Sequence, residues 1–539
     1  MQLRGILKRK VGETHARERI FSEEVKRFRI EDANKILVLP AMKTIQDTDI
    51  IYPLIAPFSY VRIKWDEDSK ALVYSIEEPH ITPEEKKIAD EIEDGLARIV
   101  ESNLDKIRNQ KTSLEYIQGK VNELIDEYGF VFLPGQYTRI MYYVYINFVG
   151  LNRLEPIMHD SYIEDVGCDG VGAHLYVSHK KYGSLRTNVI YKDPKELQEF
   201  VVKLAERCGR YVSYAEPLLD GTLPDGSRVN ATLAYDVTTK GPTFSIRKFR
   251  DVPYSAVDLI RLKTASSELM AYLWYVIEHR SNILVCGGTG AGKTSFLNSI
   301  VSFIPPEDKI VSIEDTRELN LVHENWIPAV ARIGFGTMAN DGTRYGEVTM
   351  FSLLKESFRQ RPDYVVVGEV RGVEASVLFQ GMASGHPSLG TIHGGSVDDI
   401  LKRMETPPIS LSPGLLEALD VVIVLTHASQ YGKSARRVKE ISEIVSVDTA
   451  TGKARDVKSF YWSPAQDIHS REHSHVLEDI SGEYAIPLTD IEKEIQERTE
   501  ILNWLLDKKI TSFAEVSSYI ASYYKDKKAL IKQIHGKRH

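Results

Sequence analysis

The chain has 539 residues, 42% apolar and 27% charged, and a formal charge of −8. A single core does not grow to that size, so three or four folded domains are expected. The acidic balance counts against a general nucleic-acid binder, which carries a basic face, and no apolar stretch reaches the roughly 18 residues that a membrane-spanning helix needs.

Charge is unevenly spread. Residues 1–30 hold nine Lys/Arg against four acids, and residues 525–539 hold six against one. Such ends suit contact with an anionic membrane surface or an acidic partner, and equally suit solvated termini. Cys168, Cys208 and Cys286 are widely spaced with no C-x-x-C pair, which fits a reducing compartment. The first residues lack a signal-peptide core, so a cytoplasmic location is expected.

In chain order, β-type runs at Ile36-Leu37-Val38-Leu39 and Tyr60-Val61-Arg62-Ile63 define an N-terminal module over residues 1–78. Residues 79–150 read as helical. Thr82-Pro83-Glu84-Glu85 combines a capping box with proline at the first helical position, and Ile88, Ile92, Leu96 and Ile99 keep helical spacing. A second helix carries Leu114, Ile117, Val121, Leu124 and Ile125 on one face and stops at Gly129. Residues 151–250 are mixed α/β, with a helix over Glu196 to Arg207 and an Asp225-Gly226 turn between two strands. A hinge is expected at 251–262, a nucleotide-binding core at 263–445 and a helical C-terminal cap at 446–539. Strands at 283–286, 310–314, 364–368, 388–393 and 420–425 alternate with helices, as a doubly wound parallel sheet requires.

The chemistry starts at residues 287–294, Gly-Gly-Thr-Gly-Ala-Gly-Lys-Thr, between an apolar run and a helical one. A buried strand leading through a glycine-rich turn into a helix aims backbone N–H groups and the positive end of the helix dipole at one anion. Gly287, Gly288, Thr289, Gly290, Ala291, Gly292, Lys293, Thr294 and Ser295 form this phosphate cradle. Lys293 reaches the β- and γ-phosphates and Thr294 holds magnesium.

Ligands in such sheets bind beyond the carboxyl ends of the strands. Two of those ends carry acids: Glu314, opening Glu314-Asp315-Thr316-Arg317-Glu318, and Glu369, preceded by Gly368, which interrupts the usual apolar run. Phosphoryl transfer asks for positioned water and charge neutralisation. Glu314 is assigned as the water-orienting base and Glu369 as the magnesium-side carboxylate, acting partly through water; the two roles are interchangeable at this level. His386 and His393 flank one strand without a third ligand at useful spacing, so zinc is disfavoured. A neutral imidazole that senses the γ-phosphate or braces Glu369 suits them better, His393 in particular.

The order of these elements resembles the type II/type IV secretion ATPase superfamily. The resemblance is carried by the Walker A loop, the acidic box from Glu314 to Leu319, Gly368-Glu369-Val370-Arg371, and the box from Gly385-His386 to His393. It covers about residues 150–445. Leu154-Glu155-Pro156-Ile157, Asp225 to Asn230 and Ser245 to Phe249 are similar to that family's PAS-like domain. Gln380 to Ser388 and Arg436-Arg437-Val438 look most like the archaeal branch, which includes archaellum and archaeal pilus-assembly ATPases. The four-cysteine zinc motif of bacterial members is absent.

The resemblance implies a RecA-like core preceded by the PAS-like domain, and a homohexameric ring that uses ATP and Mg2+. Arg228 and Arg247, with Arg371 behind them, would neutralise charge at subunit boundaries. It also implies accessory motor proteins and a polytopic membrane platform protein as partners, with the ring peripheral at the inner membrane face and driving an archaellum or type IV pilus-like filament. The alternative is a nucleic-acid translocase or recombinase-type ATPase. The acidic charge and the lack of an interleaved basic-aromatic stretch count against it, so no nucleic acid is expected as partner.

Overall fold

The computed structural model describes residues 28–31, 39, 44–100, 110–133, 135–249, 252–332, 334, 344–430, 433–448 and 454–536. They form two compact units, divided between Phe249 and Arg250. Ile36-Leu37-Val38, most of the basic amino terminus and the start of the expected hinge at Asp251 lie outside the described residues.

The amino-terminal unit is built on a nine-stranded sheet in the order β1-β2-β3-β6-β5-β4-β9-β8-β7. β1 (Asp49–Ile55), β2 (Ser59–Asp66) and β3 (Ala71–Glu77) form a meander. β4 (Ile163–Cys168), β5 (His174–His179), β6 (Gly183–Ile190), β7 (Leu218–Thr222), β8 (Arg228–Thr232) and β9 (Thr243–Arg247) follow. The two segments expected as separate modules, 1–78 and 151–250, therefore share one sheet, joined where β3 runs parallel to β6 through Val73↔Arg186 and Tyr74↔Thr187. The helix Pro194–Arg207 packs Leu197, Phe200, Val201, Leu204 and Ala205 into this sheet's core.

Between the two strand groups, the helices Pro83–Val100, Gln110–Tyr128 and Gln136–Val144 enclose a second core that includes Ile92, Leu96, Val121, Leu124 and Tyr142. The first of them starts with the expected capping box. The Glu85 amide donates to Thr82 Oγ1 at 3.2 Å, and the Thr82 amide donates back to Glu85 Oε2 at 3.1 Å.

The carboxyl-terminal unit carries the second nine-stranded sheet, ordered β12-β11-β13-β14-β10-β15-β16-β17-β18. β10 (Ile283–Gly287), β11 (Ile310–Glu314), β12 (Trp326–Val330), β13 (Tyr364–Val370), β14 (Ser388–His393) and β15 (Val421–Gln430) run parallel wherever they pair with one another. β16 (Lys433–Val447), β17 (Ala454–Ser463) and β18 (Ile468–Arg471) extend the sheet antiparallel. Ile283 and Val285 enter one core while Leu284 and Cys286 enter another, so both faces of the sheet are covered, as its unbroken apolar strands demand.

The residues expected as a hinge, 251–262, directly follow the division between the units and include the helix Ala256–Arg261, which opens on a capping box between Ser255 and Asp258. One expectation differs from the structure here. The described residues between 446 and 471 are largely strand rather than helical cap, because β17 and β18 complete pairing begun by β16. The cap itself begins at His475, with helices His475–Tyr484, Leu488–Asp507 and Phe513–Gly536.

Candidate active site

The phosphate loop leaves the middle of the sheet. Every residue of β10 is buried, and Gly287 is paired on one side with His393 and on the other with Leu425. Gly287 has to be glycine, because a Cβ there would stand 2.8 Å from the Leu425 carbonyl oxygen and 2.9 Å from Ala291 Cβ. Gly290 and Gly292 take φ values of 73° and 90°, in the left-handed region that side chains disfavour. The helix Lys293–Val301 begins directly after Gly292, so Lys293, Thr294 and Ser295 form its first turn. Lys293 Nζ donates to the Gly288 carbonyl at 3.3 Å; burial pushes its pKa down, against the pull of Glu369.

The two acids emerge in very different surroundings. Glu314 closes β11 and is 1% exposed. Its Oε1 accepts the amides of Glu318 at 2.8 Å and Leu319 at 2.9 Å, whereas its Oε2 is buried with no hydrogen-bond partner among the described residues. Burial pushes its pKa up from 4.5 to about 7, outweighing those two amides. Gly368 is the reason this carboxyl fits, since a Cβ at that position would lie 3.0 Å from Glu314 Cγ. The glycine that breaks the apolar run before Glu369 makes room for the other acid.

Glu369 is turned out of the ladder by a local irregularity. The β13–β14 register shifts between Val367 and Val370, and the Thr391 hydroxyl donates to the Gly368 carbonyl at 2.6 Å across the shift. The Glu369 side chain is 27% exposed and meets Arg371 Nη2 at 2.5 Å. Burial alone would raise its pKa, but Arg371 foremost, then Lys293 and His393, bring it below the ordinary value. Arg371 also reaches Asp315 at 3.8 Å. Its backbone is fixed by Glu374, whose Oε1 accepts the amides of Arg371 and Gly372, both at 2.7 Å.

His393 ends β14 beside the loop, with Nε2 3.2 Å from Thr289 Oγ1. His386 does not join it. It precedes the same strand at the other end, roughly 20 Å away at the rise of an extended chain, with its ring edge-on to Phe358. Among the described residues no group of three His, Cys, Asp or Glu side chains is arranged to hold a metal ion. Arg228 and Arg247 belong to the amino-terminal unit, where they are direct cross-strand partners on β8 and β9. Arg228 pairs with Asp220 at 3.3 Å, and Arg247 is exposed opposite Asp165 on β4.

A family model described as type II/IV secretion system protein matches residues 173–459, which include both acids and the whole phosphate loop. The chain belongs to that family. Its members are ATPases, and this protein is an ATPase of the type II/IV secretion family. An uncharacterized protein of Methanocaldococcus jannaschii is 35% identical over 509 residues, covering 90% of each chain, which fits the archaeal branch. A putative conjugal transfer protein of Mycobacterium tuberculosis is 32% identical over 278 residues, 48% of this chain and 75% of that one. Among solved structures, the VirB11 ATPase of the Brucella suis type IV secretion system is similar at 21% identity, covering 53% of this chain and 94% of that one with a TM-score of 0.27.

Three features of this secretion-family ATPase were not assigned from sequence. Arg371 is bound within its own chain to Glu369; Glu374 sets the turn that presents it; and Arg436 on β16 lies over the phosphate loop. An acid three residues after an arginine, opening a helix, was a readable signal for Glu374. The other two depend on a strand irregularity and on a contact 146 residues apart in sequence.

Proposed function

We propose that ATP is bound at residues 287–295 and hydrolysed with Glu314 as base, Glu369 as the magnesium-side carboxylate and Lys293 on the β- and γ-phosphates. The observation that supports this reading is the contrast between the two acids' surroundings: Glu314 is buried with one carboxylate oxygen unpartnered among the described residues, which raises its pKa to about 7, whereas Glu369 is half-buried against Arg371, which holds it below the ordinary carboxylate value. This contrast supports giving the base role to Glu314 and the magnesium-side role to Glu369, which sequence left interchangeable. Of the Glu314 oxygens, Oε1 already accepts two amides, so Oε2 is the one left to take the proton of the attacking water in this reading.

Hard oxygen donors suit Mg2+, and Thr294 with Glu369, partly through water, provides them; when bound, the ion offsets the charge of the transferring phosphoryl group. The contact of His393 with Thr289 supports a role for this imidazole in responding to the γ-phosphate. Arg228 and Arg247 stand directly opposite each other on β8 and β9, beside Asp220 and Asp165, and together present a pair of cations on one sheet. In a homohexameric ring they serve a neighbouring subunit's nucleotide.

Turnover then drives assembly or rotation of an archaellum or type IV pilus-like filament through a polytopic membrane platform protein, with the ring peripheral at the inner membrane face. Family membership, the archaeal relatives and the cationic chain ends support this reading. Phosphate release, measured with anionic vesicles and with single-stranded DNA, tests it alongside the solution mass. Stimulation by vesicles and a mass of six 61.0 kDa chains support the motor. Stimulation by DNA alone, with steep salt dependence, replaces it by a translocase.

A further inference from the structure

The hairpin of β15 and β16 runs past the carboxyl edge of the parallel sheet. β15 pairs with β10 as far as Leu425, opposite Gly287, and then continues to Gln430, while β16 returns with Arg436 opposite His427. Arg436 thereby comes to lie against the phosphate loop. Its Nε donates to the Gly290 carbonyl at 3.0 Å, and its Cδ lies 3.2 Å from where a Cβ on Gly292 would be. Gly292 is thus glycine for two reasons, its positive φ and the arginine stem that covers it.

The strand beneath is firmly held. Arg437, 4% exposed, grips Asp467 with Nε at 2.8 Å and Nη2 at 3.2 Å, and its Nη1 donates to the Leu262 carbonyl at 3.2 Å. Trp462 and Lys263 donate to the same aspartate. Arg436, by contrast, is exposed and has no carboxylate partner among the described residues.

We infer that Arg436 is a positioning residue for the phosphate loop, fixing the Gly290–Ala291 peptide before nucleotide arrives; this rests on the loop being the nucleotide site. The carbonyl it holds shares a peptide group with the Ala291 amide, which closes the loop's first turn by donating to the Gly288 carbonyl at 3.2 Å. Lys293 Nζ donates to that same carbonyl. Arg436, the Gly290–Ala291 peptide and Gly288 therefore form one hydrogen-bonded chain across the loop, and such chains polarise along their length. Its function is to keep the loop turned, so nucleotide binding does not itself have to order a flexible glycine run. The loop is needed equally in the ground and transition states, so losing the pin weakens binding and leaves the chemical step alone.

The test compares Arg436→Ala, Arg436→Gln and Arg436→Lys in the full chain. Calorimetric titration with MgADP is paired with steady-state hydrolysis of MgATP, and Lys293→Ala serves as control. Glutamine keeps an N–H donor where the arginine Nε stands and loses the charge; lysine keeps the charge and puts a methylene there. A pinning role gives about tenfold weaker MgADP binding and a correspondingly higher KM in the alanine and lysine variants, with kcat within twofold. The glutamine variant then stays within threefold of the parent. Recovery by lysine but not glutamine, an equal loss in all three, no loss in any, or a fall in kcat at constant KM overturns the inference. Lys293→Ala binding MgADP as the parent does would instead remove the nucleotide-site reading beneath it.

Discussion

Replacing Glu314 by glutamine tests the site through two independent readouts. Glutamine keeps an acceptor for the Glu318 and Leu319 amides and removes the titrating proton. If Glu314 is the base, kcat falls by roughly 10²–10⁴-fold while MgATP affinity is kept. The pH profile changes as well: parent turnover rises through pH 7 as the carboxyl ionises, and residual turnover in the variant does not follow that curve.

Stability supplies the second readout. The folded pKa is raised from 4.5 to about 7, so the stabilisation linked to the protonated carboxyl is fully present below 4.5 and is lost as pH rises through about 7. Between pH 5 and pH 8 this amounts to about 2–3 kcal/mol, at about 1.4 kcal/mol per unit of pKa. Glu314→Gln has no such dependence. Urea unfolding of both proteins at the two pH values should show the variant gaining on the parent by that amount at pH 8 relative to pH 5. A pH-independent difference refutes the titration argument, and parent-like turnover refutes the base.

Glu369→Gln should leave nucleotide binding measurable but shift the Mg2+ dependence of hydrolysis to higher concentration and reduce turnover at least tenfold, because the carboxylate is the ionised partner at all pH values above its lowered pKa; a magnesium titration of phosphate release decides it. Gly292→Ala imposes a side chain at φ 90° against Arg436, so the loop should lose about 1–2 kcal/mol of its native geometry and MgADP binding should fall roughly tenfold or more in calorimetry. Arg498, 1% exposed, is paired with Glu278 and Glu494 and stacked on Trp274, Tyr275 and Tyr523, fixing the cap to the core. Arg498→Leu should cost about 3–5 kcal/mol, read as a lower urea midpoint.

Much of this was readable from local pattern. The strands around the loop fall where their apolar runs placed them, because a strand buried on both faces leaves an unbroken signature. Thr82 and Glu85 identify a helix start within four residues of chain. What could not be read depends on partners distant in sequence. Nothing near Val73 announces that β3 will pair with β6 at Arg186, so one sheet looked like two modules. Gly368 looked like a flaw in an acidic strand motif until its neighbour on β11 was known. The two glutamates are chemically identical residues at two strand ends, and only burial of one and the guanidinium beside the other make their surroundings differ. His386 and His393 stand at opposite ends of one strand, the first just before it and the second closing it, a distinction the spacing contained and the motif obscured.

The most direct test of the account is steady-state phosphate release by the intact chain at saturating MgATP, compared with Lys293→Ala. Sustained turnover is expected in the parent and none above background in the variant if Lys293 serves as the loop's cation for the β- and γ-phosphates. Equal turnover in the two proteins would contradict it, placing hydrolysis somewhere other than residues 287–295.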